Sequence, residues 1–148
     1  MHYSSIVKLL TEHGIASASN DAAELISHFN GKPPSWCLAN RDQNLPPEIT
    51  KAAERLAAGT PLQYITGRAW FMGDKYFVSP DVLIPQPDTE HLAEAALKHL
   101  KPGMRLLDLC TGSGCIIISV LKRVIASGTG VELSAPALAV ARRNAEIH

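Results

Sequence analysis

The chain has 148 residues, as many acidic as basic side chains, and 46% hydrophobic residues. That size suits one ordinary domain or two small ones, and a neutral chain with no basic run longer than Arg142-Arg143 argues against a nucleic-acid groove, which needs Lys and Arg for phosphates. Cys37, Cys110 and Cys115 lack disulfide or metal-ligand spacing, the N-terminus has no signal-peptide core, and no apolar run approaches the ~20 residues of a membrane span, so a cytoplasmic protein is expected.

Tyr3, Ile6, Val7 and Leu10 recur at helical spacing, with Gly14 as a stop. A second helix is predicted from a cap at Asn20 or Asp21, with Glu24 completing a capping box, and Ala22, Leu25, Ile26 and Phe29 inward as far as Gly31. Pro33-Pro34-Ser35 opens a short turn carrying Trp36 and Leu38, with Trp36 read as a core anchor. Ile49, Ala52, Ala53, Leu56 and Ala57 mark a fourth helix closed by Gly59. Residues 1–60 are therefore expected to form a small helical bundle.

Beyond Gly59 the texture changes. Aromatics flank Gly73-Asp74, predicting a hairpin turn there, within a linker over 61–87. Asp88 can cap the next helix, with Glu90 in its first turn and Leu92, Ala96, Leu97 and Leu100 inward. A last helix is predicted from a cap at Ser134, with Leu138, Ala141 and Ala145 on one face.

The stretch that carries chemistry is Leu106-Leu107-Asp108-Leu109-Cys110-Thr111-Gly112-Ser113-Gly114, continuing as Cys115-Ile116-Ile117-Ile118. It reads as a buried parallel strand, a tight glycine loop and a helix running to about Ala126. A dinucleotide fingerprint would need a third glycine where Ile117 stands, and no Gly-Lys-Ser/Thr of a P-loop follows. An acid ending the strand before small residues and Gly-x-Gly is the pattern used for S-adenosyl-L-methionine. Glu132, 18 residues beyond Gly114, falls at the end of a second predicted strand, Gly130–Leu133, where a carboxylate can accept both ribose hydroxyls. Gly128, Thr129 and Gly130 make that strand weak, and the plain alternative is a strand–turn–helix with no ligand.

Three segments together resemble one family. Pro61-Leu62-Gln63-Tyr64-Ile65-x-Gly67, Val82-Leu83-Ile84-Pro85-Gln86-Pro87-Asp88-Thr89-Glu90 and Leu107 to Gly114 are similar to the HemK/PrmC-type protein-glutamine N5-methyltransferases. The resemblance implies an α/β fold: an N-terminal helical bundle for substrate recognition, a hairpin linker, and over 88–148 the first half of a Rossmann-like methyltransferase domain. It implies S-adenosyl-L-methionine as cofactor and, as partner, the peptide-chain release factors, methylated on the glutamine of their Gly-Gly-Gln motif. Asp108 would bind the cofactor's amino group, Cys110, Thr111, Gly112, Ser113 and Gly114 would cradle its carboxylate end, and Glu132 would take the ribose. Gln86 and Asp88 would close over it.

The family usually has arginine where Gln86 stands and glycine where Cys110 stands. Gln loses a cation, and Cys110 costs about 1 kcal/mol if its φ must be positive. The family's Asn-Pro-Pro-Tyr signature, which orients the substrate amide, occurs nowhere in this chain, so no catalytic residue is expected in it. With two core strands only, the expectation is a truncated domain with an incomplete sheet, prone to self-association through its open edge. An N6-adenine nucleic-acid methyltransferase and a non-catalytic partner-binding module are the alternatives.

Overall fold

The computed structural model describes residues 1–148 and divides them into Met1–Thr66 and Gly67–His148. In the first unit, α1 (Tyr3–Glu12) turns Tyr3, Ile6 and Leu10 inward, the three-and-four spacing that stacks side chains on one helix face. α2 (Ala18–Asn30) adds Ala22, Leu25 and Ile26, and ends on Gly31 in the left-handed conformation. It starts before the predicted cap. The Asp21 N–H is already donated to Ser17 O at 2.9 Å, so no capping box forms with Glu24. The Ser17 hydroxyl instead donates to the Asp21 carboxylate at 2.7 Å. Phe29, in the last turn, is exposed.

α3 (Pro34–Ala39) buries Cys37, while Trp36 packs at the margin of the core and Leu38 is exposed. α4 (Pro47–Ala57) supplies Ile49, Ala52, Ala53 and Leu56. α5 (Leu62–Thr66) is a single extra turn, held by the Thr66 hydroxyl donating to Leu62 O at 3.0 Å. One core joins Tyr3 through Leu62. Each fully buried Leu or Ile in it contributes about 1.5–3 kcal/mol of transfer free energy.

The second unit begins with an antiparallel hairpin of β1 (Arg68–Phe71) and β2 (Asp74–Phe77), in which Phe71 faces Asp74. Its turn is Met72-Gly73, one residue earlier than predicted, with φ of 52° and 80°. Two successive positive φ values suit the right-handed twist of the strands. Met72 tolerates its conformation because both of its peptide groups are held. Its N–H donates to Glu90 Oε1 at 2.6 Å, and its carbonyl accepts from the Arg123 guanidinium.

Glu90 lies in the first turn of α6 (Pro87–His99), whose N-cap is Gln86; Asp88 is inside the helix and caps nothing. Ala93 is the residue α6 buries, with Ala96, Leu97 and Leu100 at the core margin, whereas Leu92, predicted inward, is exposed. β3 (Arg105–Leu109) and β4 (Ser127–Val131) pair in parallel, Leu107 beside Thr129 and Leu109 beside Val131, with α7 (Cys115–Leu121) between them in sequence. α7 stops short of Ala126, and β4 starts at Ser127 rather than at Gly130. β3 is not the buried strand predicted from its leucines. Leu106 packs into the core with Phe71, Tyr76 and Val120, but Leu107 and Leu109 are 60% and 67% exposed, because their face of the two-stranded sheet is uncovered.

α8 (Ala135–Ile147) is capped by the Ser134 hydroxyl as predicted, yet its buried face is Ala137, Val140, Ala141 and Asn144. Ala145 is exposed. The hairpin explains the rotation. Lys75 and Phe77 turn backbone groups away from β1, as alternate strand residues must, and α8 fills that edge one helical turn at a time. Asn144 bonds both the N–H and the carbonyl of Phe77, at 2.7 and 2.9 Å. His148, to which the sequence assigns no role, donates to Lys75 O at 3.0 Å and lies against the Tyr76 ring. No helix of the chain is long and apolar enough to cross a membrane.

Candidate functional site

β3 delivers Asp108 to the mouth of a loop whose backbone is left-handed at Cys110, Gly112 and Gly114, with φ of 60°, 55° and 80°. Cys110 is thus a side-chain-bearing residue in a conformation that favours glycine, as its position in the loop suggested. At Gly114 glycine is required twice. Its φ is positive, and a Cβ there would stand 2.9 Å from Ile118 Cδ1 and 3.4 Å from Ala141 Cβ.

Thr111 is the pin of the loop. Its N–H donates to Val131 O at 3.0 Å, and its hydroxyl donates to Asp108 Oδ2 at 2.7 Å. Asp108 is therefore engaged by a hydroxyl, not by loop N–H groups. Thr111 is buried because Gly130 makes room for it: a Cβ on Gly130 would lie 3.1 to 3.3 Å from the Thr111 side chain. The glycine expected to weaken β4 is what lets the loop seat against that strand. Ser113 is also buried, and the Gly114 N–H closes the turn on Thr111 O at 2.8 Å.

Glu132 follows β4 by one residue. Its Oε1 accepts from the Ser134 N–H at 3.0 Å and its Oε2 from the Gly112 N–H at 2.9 Å. Those two donors, Ser134 first, hold its carboxyl below the ordinary carboxylate range. Asp108, Cys110, Thr111, Gly112, Ser113, Gly114 and Glu132 thus come together around one turn. Gln86 does not join them through hydrogen bonds: its amide donates to Ile84 O at 3.0 Å. Cys115 is buried under the loop, which raises its thiol pKa and suits packing rather than thiol chemistry.

Asn144 was missed from sequence. Its side chain donates to Ser113 O at 2.8 Å while gripping Phe77, and it is fully buried. The signal was a poor helix former standing at the core period of α8, one turn after Val140 and Ala141.

The loop can accept a polar ligand. A Cβ built on Gly112 meets no atom within 4 Å, so that backbone borders open space a ligand can enter. Each Glu132 oxygen accepts one N–H, leaving lone pairs for hydroxyl donors. These features fit a ligand with an amino-acid end and a ribose, such as S-adenosyl-L-methionine.

A helical bundle followed by an α/β unit with an acid-flanked glycine turn defines the class of this protein. Residues 3–67 match the model of the PrmC N-terminal domain. The chain is 44% identical over 133 residues to a release factor glutamine methyltransferase of Bordetella pertussis, covering 85% of this chain and 49% of that protein. It is 39% identical over 144 residues to one of Geobacter sulfurreducens, covering 94% and 51%, and 48% identical over 102 residues to one of Nitratidesulfovibrio vulgaris, covering 68% and 35%. Residues 3–67 are thus a PrmC N-terminal domain, and most of the chain is homologous to release factor glutamine methyltransferases. The chain spans between about a third and a half of the length of these relatives.

Proposed function

We propose that this chain carries the helical N-terminal domain and the cofactor-binding part of an S-adenosyl-L-methionine-dependent methyltransferase, one that modifies the glutamine side-chain nitrogen in the Gly-Gly-Gln motif of peptide-chain release factors. The observation that carries the reading is the Glu132 carboxylate bonded to the Gly112 N–H, which brings a second acid to the loop that Asp108 opens. The names of the relatives supply the substrate class. In this reading β3 and β4 are parallel strands of a Rossmann-like sheet over 88–148, residues 61–87 link it to the bundle, and residues 1–60 recognise the release factor.

Asp108 pairs with the cofactor's ammonium group, a charge-assisted contact. The Cys110–Gly114 backbone cradles the carboxylate end, with Gly112 giving the closest approach. Glu132 accepts the ribose hydroxyls and, by holding Gly112, ties the ribose site to the loop. Bound S-adenosyl-L-methionine supplies an activated methyl group. The contribution of these residues is to hold and orient it, which is where much of the rate of such a transfer arises.

Calorimetric titration of the chain with S-adenosyl-L-methionine tests the reading. Saturable one-site binding is expected, weakened roughly tenfold or more by Glu132→Ala. A parent chain that binds no cofactor, or a Glu132→Ala chain of equal affinity, would overturn the site.

A further inference from the structure

Asn144 spends its carboxamide on two segments far apart in sequence. Oδ1 accepts from the Phe77 N–H, and Nδ2 donates to Phe77 O and to Ser113 O. Both N–H donors are used, so the amide is fixed in rotation as well as in position. The consequence at Ser113 follows from peptide geometry. In a trans peptide the carbonyl and the following N–H point in opposite directions. The Ser113 carbonyl is held by Asn144, and the N–H of the same peptide plane, that of Gly114, is held by Thr111 O at 2.8 Å. One plane of the glycine loop is therefore gripped from both sides. On the far side Asn144 is braced by the backbone of β2, which is itself paired with β1.

A helix needs no asparagine there for packing. Ala137, Val140 and Ala141 continue the same buried face with apolar groups, and a buried carboxamide is tolerated only when its hydrogen bonds are made. We propose that Asn144 is a positioning residue for the cofactor loop, setting the Ser113–Gly114 peptide through the hairpin strand, so that the hairpin is part of the cofactor site's support. The inference rests on the reading of that loop as an S-adenosyl-L-methionine site.

Asn144→Asp keeps the size of the side chain but loses both N–H donors: ionised it can donate to neither carbonyl, and protonated to only one of them. Tyr76→Phe removes a separate 2.6 Å hydroxyl contact with Ser119 of α7 and leaves the Asn144 bonds in place, so it controls for a general loss of stability. Amide exchange at Gly114, followed by NMR without cofactor, is expected to accelerate roughly tenfold or more in Asn144→Asp relative to the amides of α7, and to stay within about twofold in Tyr76→Phe. Cofactor affinity of the folded chain should fall roughly tenfold in Asn144→Asp alone. Unchanged Gly114 exchange in Asn144→Asp overturns the inference whatever the affinity. A loop that responds in a chain whose parent binds no cofactor supports the positioning role and overturns the proposed function. If Asn144→Asp does not fold, the parent chain decides. Coupling is reciprocal, so saturating cofactor should slow exchange of the Phe77 N–H, and an unchanged rate overturns the proposal.

Discussion

Glu132 and Gly112 stand 20 residues apart in the chain, yet a 2.9 Å hydrogen bond from the Gly112 N–H to Glu132 Oε2 makes them one unit. The acid after β4 thereby sets the backbone of the loop after β3.

That bond is pH-dependent, and the sign can be worked out. The folded-state pKa of Glu132 lies below its ordinary 4.5. Its contribution is therefore complete above about pH 4.5 and is lost as pH falls through the lowered folded value. The Gly112 amide shift, followed by NMR from pH 7 down to pH 2.5, is expected to titrate with a midpoint below 4.5. Glu132→Gln should abolish the transition, and a midpoint above 4.5 would contradict the assignment.

Cys110→Gly should stabilise the chain by about 1 kcal/mol, because the left-handed φ of 60° no longer opposes a Cβ. The gain is partly offset by the extra freedom glycine has when unfolded. Urea denaturation reads the change in midpoint. Cofactor affinity should be equal or better, and a clear loss would mean that the thiol itself touches the ligand.

Gly130→Ala is the opposite case. Thr111 is short, branched and bonded to Asp108, so it cannot swing away from a Cβ at 3.1 Å as a long side chain could. A cost of about 1–3 kcal/mol is expected from the overpacking. It should come with a weakened cofactor site, read by calorimetry on the folded chain. Neutral stability would show that the loop relaxes freely around Thr111.

The uncovered sheet face is expected to drive association. Leu107, Leu109 and Val131 are exposed on neighbouring strands, and Leu133 beyond them is 99% exposed. Contiguous apolar area of this kind drives self-association. Light scattering should show growth with concentration, reduced by the double substitution Leu107→Lys and Leu109→Lys. A parent chain that stays monomeric at high concentration would contradict this.

Much of this protein is legible in the sequence because local rules act locally. Helical periodicity marks α1 and α4, proline and Ser134 mark helix starts, and Asp108 followed by Thr111-Gly112-Ser113-Gly114 announces the loop before any fold is known. Motif resemblance adds the family, since Val82 to Glu90 has no generic reason to occur. Tertiary structure alone decided the rest, wherever a residue's role depends on a partner distant in sequence. β3 reads as buried from its leucines, but burial depends on what covers each face. Gly130 reads as a weak strand residue until Thr111 is seen to need its space. Asn144 goes unnoticed in the sequence, off the predicted face of Leu138, Ala141 and Ala145, until Phe77 and Ser113 are seen to meet there. Periodicity reports which face of an element is apolar; it carries no information about which backbone edge that face will meet, and at Asn144 the edge determined the residue.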